Sequence, residues 1–255
     1  MKIVIARIAL AVALLLLWEF SSGSLVNDFF FSRPSAIAVK FYGYCADGSL
    51  FRNMAITASE AISGFIIGGV FGSLSGILMG RSRRLSDLLD PFVTGFYSIP
   101  KIALAPLFIM WFGIGFPMRV YYTSLIVFFL VFMNTYTGVR NVSPELLTVF
   151  RLMGAKEKHL IRVVILPSVI TWVFAGLRLS VPYSMIGAII AEMLAANQGL
   201  GYMLERAASQ FDTAGVFAAL IGVVALSLAL NLLTRKIERA LMPWRVADET
   251  RTMTV

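Results

Sequence analysis

Little in this chain is equipped for acid–base or redox chemistry. Cys45 is the only cysteine and His159 the only histidine. One cysteine cannot close an internal disulfide, so it says nothing about redox compartment. A lone histidine without a second histidine or cysteine nearby does not make a metal site. The phosphate-cradling pattern G-x-x-x-x-G-K-[ST] is absent, which excludes ATP binding by that route, and neither H-E-x-x-H nor G-x-S-x-G occurs. No nucleophile stands at a telling distance from a base, so the chain does not read as an enzyme. Charge is scarce as well, at 14% of residues.

What is there instead is apolar. Hydrophobic residues make up 58% of the 255, and mean hydropathy is +0.82. Runs close to the roughly 20 residues that cross a bilayer recur along the chain. The expectation is an all-α, polytopic membrane helical bundle of about six transmembrane helices, forming a single domain over residues 1–255 with its core at 56–235. The net charge of +8 does not indicate nucleic acid, because the basic residues collect in alternate loops.

The first span is placed at about Ile3 to Trp18. Two readings stay open for it: a retained, peripheral helix, or a cleaved signal peptide with a basic start, a short apolar core and then Ser21-Ser22-Gly23-Ser24. An outer segment, 19–55, carries turns at Arg33-Pro34-Ser35 and Asp47-Gly48 and a surface helix from Ala36 to Tyr44. The second span, about Ile56 to Met79, holds Gly64, Gly68, Gly72, Gly76 and Gly80 at four-residue steps. That bare stripe lets another backbone approach closely. Glu60 is expected near the outer end, reaching the interface. Asp90-Pro91 is read as opening a third span, about Phe92 to Phe112, broken by Pro100 and Pro106 around Lys101. A tight outer turn at Gly113–Pro117 leads to the fourth span, about Val120 to Thr137. The fifth, about Ser168 to Met193, contains Arg178, Pro182 and Glu192. Residues Asn197 to Gly215 form the last outer loop, and the sixth span is about Val216 to Leu233.

Fifteen basic residues fall in segments this path places inside and five outside: Arg33, Lys40, Arg52, Arg119 and Arg206. By the positive-inside rule, both termini and the segment 139–167 face the cytoplasm. In that segment Ser143-Pro144-Glu145 reads as a helix start, with a hydroxyl cap, a proline in the first turn and an acid near the positive end. Leu146, Val149, Phe150 and Met153 form an apolar stripe. Gly154 ends that helix as a residue free to take positive φ. A second helix, roughly Ala155 to Val164, carries Lys156, Lys158 and Arg162 and is expected to end at Pro167. Two short helices joined at a glycine make a docking knob that calls for a soluble partner.

This segment resembles the "EAA" loop of ABC-importer permeases, with Gly154 and Val164-x-Leu166-Pro167 at matching spacing. Counting back from Gly154, the Glu-Ala-Ala triplet falls on Thr148, Val149 and Phe150, so the acid is missing here. The likeness covers nearly the whole chain after the first span. Pro34-Ser35, Gly64-Phe65, Ala105-Pro106-Leu107, Trp111-Phe112-Gly113-Ile114-Gly115, Gly176-Leu177-Arg178, Ala191-Glu192-Met193 and Gly199-Leu200-Gly201-Tyr202 look like the nitrate, sulfonate and taurine branch of the binding-protein-dependent inner-membrane components. Glu60 departs, because a basic residue is usual there.

The resemblance implies a type I importer fold and alternating access. It implies ABC ATPase subunits that use ATP and magnesium, while this chain binds no cofactor. It also implies an outer solute-binding protein, a second permease copy as a homodimer, and a bacterial inner membrane. ATPase coupling is assigned to Glu145, Thr148, Val149, Phe150, Arg151, Met153, Gly154, Ala155 and His159. Candidate pathway residues are Lys101, Arg178 and Glu192. The alternative is an ion-coupled secondary transporter, which needs a midplane carboxylate cluster or broken helices in an internal repeat; only the broken third span fits.

Overall fold

The computed structural model describes residues 2–22, 30–141 and 144–241, and among these it contains eleven α-helices and no β-strand. Helices α1 (Lys2–Ser21), α3 (Ser49–Arg81), α6 (Phe116–Arg140), α9 (Leu166–Ala195) and α11 (Thr213–Leu241) are long and apolar enough to cross a membrane. A bent pair, α4 (Arg83–Ser98) and the 3-10 turn Lys101–Leu104 with α5 (Ala105–Phe112), which meet at 88°, makes a sixth crossing if it is counted as one span, and otherwise a re-entrant loop.

The centre of the bundle is α3 on α6 on α9. The glycine stripe of α3 lies against α6 along its whole length. A Cβ on Gly64 would stand 2.6 Å from Thr123 Cβ, on Gly72 2.7 Å from the Phe128 carbonyl oxygen, and on Gly80 2.7 Å from Val139 Cβ. In lipid, where apolar side chains gain nothing by leaving apolar solvent, such close backbone approach supplies the packing energy. The stripe is therefore used up inside the molecule. On α9, Gly176 fits against Val131 and Asn134 of α6, and Gly187 against Thr123 and Ile126.

At one end of the bundle α2 (Pro34–Ala46) and α10 (Leu200–Ser209) lie across the long helices. Leu50, Ala61, Met185, Leu200, Leu204 and Ala219 form the apolar core there. Glu19 of α1 caps α2 by accepting from the Ser35 amide and hydroxyl. Lys40 of α2 pairs with Asp212, between α10 and α11, at 2.6 Å. At the opposite end Ser86 and Asp90 of α4 meet Tyr136 and Arg140 of α6 in one hydrogen-bonded group.

Several expectations are corrected. Asp90-Pro91 does not open the third span: α4 starts at Arg83, with the Ser82 hydroxyl accepting from the Leu85 amide, and runs through Pro91. The break falls at Ile99-Pro100, whereas Pro106 sits in the first turn of α5, where its missing N–H is not needed. The helix expected over 155–164 does not stop at Pro167. Instead α8 (Glu157–Leu160) passes through a π-turn, Ile161–Ile165, straight into α9. Pro167 enters just past the wider turn, where the N–H it lacks leaves the i−4 carbonyl without its α-helical donor. The last outer loop contains α10, which the sequence reading left unassigned. Ser143, read as the helix cap, lies outside the described residues.

Candidate functional site

The elbow between α6 and α9 is built as a protrusion. Helix α7 (Pro144–Leu152) ends in a Schellman closure: the Gly154 amide donates to the Arg151 carbonyl at 2.9 Å, and the Ala155 amide to the Phe150 carbonyl at 3.0 Å. Gly154 has φ +81°, as its position past the helix end requires. Beyond it lies α8. The apolar tip is bare: Leu152 is 83% exposed, Met153 77% and Val149 51%. Phe150 and Ala155 are half-buried, and Glu145, Thr148, Arg151, Lys156 and His159 are exposed. Phe150, Met153, Gly154, Ala155, Lys156 and His159 line a cleft of about 430 Å³ on this tip. Of the coupling residues named from the sequence, Phe150, Met153, Gly154, Ala155 and His159 line this cleft, and Glu145, Thr148, Val149 and Arg151 are exposed on α7.

The three pathway residues do not come together. Arg178 of α9 forks onto Glu238 of α11 through Nε and Nη2, which makes it a tie between helices. Lys101 donates to the carbonyls of Phe96, Tyr97 and Ile99 at 3.2, 2.6 and 2.8 Å. It thereby satisfies the orphan acceptors at the end of α4 and places a cation where the helix dipole is negative. Its ammonium also lies over the rings of Tyr97 and Phe129.

Glu192 is 0% exposed and holds the start of α10. It accepts from the Gly201 amide at 2.6 Å and the Thr57 hydroxyl at 2.7 Å. Thr57 in turn accepts from the Leu200 amide, and Asn53 from the Gly199 amide. Three of the N–H groups that a helix start leaves unpaired are thus met by side chains of α3 and α9. The glycines of the Gly199-Leu200-Gly201 motif are explained by this: a Cβ on Gly199 would enter the Glu192 carboxylate, and one on Gly201 would stand 2.8 Å from Glu192 Cβ.

Glu60 does not reach the interface. It is 0% exposed beside Glu192 and pairs with Arg119 at 2.6 Å. Arg119, read as an outer-loop residue, is likewise buried in the first turns of α6. Two charges that fall in separate segments of the sequence meet only because α3 and α6 pack in register. A signal for this latch was present, since Asn53, Thr57 and Glu60 share one face of α3 at helical spacing.

Long apolar helices packed through glycine stripes, a bent span, and a polar two-helix elbow between spans define a type I ABC-importer permease fold. The inward-facing MetNI methionine ABC transporter has it: the superposition reaches a TM-score of 0.65 at 18% identity, covering 76% of this chain and 97% of that one. The chain belongs to the family of binding-protein-dependent transport system inner membrane components, whose sequence profile matches residues 68–243. The formylaminopyrimidine transport permease protein ThiX of Halalkalibacterium halodurans is 32% identical over 91% of this chain and 92% of its own length. The putative aliphatic sulfonates transport permease protein SsuC of Bacillus subtilis is 32% identical over 94% and 87%. The taurine transport system permease protein TauC of Escherichia coli is 28% identical over 92% and 87%. The chain is thus a multi-pass inner-membrane permease component of an ABC importer, and not an enzyme.

Proposed function

We propose that this permease works as one of two identical copies and carries a small organic anion of the sulfonate or taurine kind into the cytoplasm. A periplasmic binding protein supplies the solute. Two ABC ATPases, using ATP and magnesium, supply the energy, and the chain itself holds no cofactor. Both termini and the elbow face the cytoplasm, as the distribution of basic residues favours. ATPase closure draws two elbows together, and the elbow's covalent continuity with α9 passes the motion into the bundle.

The observation that carries this reading is the bare tip of the elbow. Leu152 and Met153 lie uncovered between membrane spans, on a rigid closure at Gly154. Exposed apolar surface rimmed by Arg151, Lys156 and His159 is what a soluble partner's groove covers. The sulfonate and taurine relatives support the anion; the equally similar formylaminopyrimidine relative supplies the control solute. The test is reconstitution with its partner ATPase and binding protein. ATP-dependent uptake of taurine or ethanesulfonate is expected. Uptake driven by a proton or sodium gradient without the ATPase overturns the reading.

A further inference from the structure

Two carboxyl groups share one buried site where α3, α6, α9 and α10 meet. Glu60 and Glu192 are each 0% exposed, and their side chains come within hydrogen-bonding reach of one another. One guanidinium serves both. Arg119 of α6 donates from Nε to Glu60 Oε1 at 2.6 Å, and no other cation bears on the pair among the described residues. Around Glu192 stand only neutral donors, the Thr57 hydroxyl from α3 and the Gly201 amide from α10. The fourth oxygen, Glu60 Oε2, is buried without a donor. Two ionised carboxylates here would leave a net negative charge out of water. They would also leave that oxygen unmet, because an ionised carboxylate only accepts. One proton removes both defects, since a protonated carboxyl donates to its neighbour.

We propose that Glu60 and Glu192 hold a single proton between them, carried by Glu192 and donated to Glu60 Oε2, and that this proton fastens the start of α10 to the bundle. The proton falls to Glu192 because Glu60 has the stronger counter-charge. A guanidinium at 2.6 Å outweighs the positive end of the ten-residue α10. Glu192 then donates to Glu60 while it still accepts from Thr57 and Gly201. The attachment of α10 runs through it: the Gly201 amide donates to Glu192, and the Leu200 amide to Thr57, which itself donates to Glu192. Loss of the proton to solvent hydroxide sets a second negative charge beside the first and loosens that attachment. At neutral pH the unfolded chain has both carboxyls ionised, whereas the folded pair keeps one proton. The folded form binds more protons, so its stability falls as pH rises to where the pair lets go. The inference concerns how α10 is held and does not depend on which solute is carried.

The test uses the full permease–ATPase complex in detergent. The infrared difference between wild type and Glu192→Gln at neutral pH should contain a protonated-carboxyl carbonyl band that shifts in D2O and belongs to wild type alone. Amide hydrogen exchange over residues 199–203, corrected for the intrinsic effect of pH, should rise severalfold in wild type between about pH 7 and pH 9. It should stay level in Glu192→Gln, whose side-chain amide stands in for the protonated carboxyl. Helix α7, at the other end of the bundle, serves as the reference whose exchange does not change. Where Glu192→Gln fails to fold, wild-type exchange decides alone. Absence of the carbonyl band, or protection over 199–203 that is level with pH in wild type, overturns the shared proton. Protection restored at pH 9 by sodium or calcium ions overturns it as well, because a bound cation would then be the fastener.

Discussion

Arg119 enters the bundle because Glu60 meets it there. Both side chains are buried, Glu60 at 0% and Arg119 at 5% exposure, so taking away one partner strands the other. Arg119→Ala should therefore cost about 3–5 kcal/mol, read as an earlier midpoint in chaotrope or thermal unfolding of the detergent-solubilised protein. A midpoint within error of wild type would show that water reaches Glu60. The Lys40–Asp212 tie is weaker, because both side chains are partly exposed. Burial pushes the Asp212 carboxyl up, but the Lys40 ammonium and the Gly215 amide outweigh it and hold the group below the usual 3.8. The Asp212 hydrogen bond in turn holds Lys40 above 10.5. The sign follows: the tie contributes fully between those two ordinary values. It is lost as pH falls through the lowered value of Asp212 or rises through the raised value of Lys40. Asp212→Asn should lower the thermal midpoint slightly at neutral pH, and the gap should close in acid.

Among the elements, the joint at Gly154 is the most sharply specified. No atom lies within 4 Å of where its Cβ would be, so a side chain is opposed only by the backbone at φ +81°. Gly154→Val should strain the closure by about 1–3 kcal/mol and redirect α8, leaving a folded permease with impaired ATP-driven uptake. Gly154→Asn should retain most activity, since asparagine tolerates that conformation. Wild-type uptake by the valine variant would show that the elbow's shape is not the coupling element. This joint was legible in the sequence because a helix cap is a local event, and so was the stripe at Gly64–Gly80, because its period is local too. The Glu60–Arg119 pair was not legible, since 59 residues separate the two and only the register of α3 on α6 brings them together. The start of α4 was missed because Asp90-Pro91 imitates a helix opening, whereas the Ser82 cap lies amid arginines that read as a loop. Helix α10 was missed because its ten residues carry too short a pattern to stand out from a polar loop.

At the scale of the whole molecule, large apolar side chains lie exposed on each of the long helices, as suits a protein surrounded by lipid. The elbow is where the chain presents apolar and polar surface at once, and Arg151 stands on its rim. Arg151→Glu should weaken co-purification of the ATPase subunits severalfold without altering the permease's own thermal midpoint. Undiminished co-purification would remove Arg151 from that contact.

Helix α9 joins these scales. It begins without a break at the elbow, through the π-turn, and carries Glu192 near its far end, about 39 Å from its first residue, Leu166. Partway along, Arg178 fastens it to Glu238 of α11, and one turn later Pro182 leaves the Arg178 carbonyl without its helical donor. The rod therefore has a clamped near half and a far half that begins at its weakest rung. The elbow and the α10 latch are thus the two ends of one continuous piece of backbone whose weakest rung lies between them.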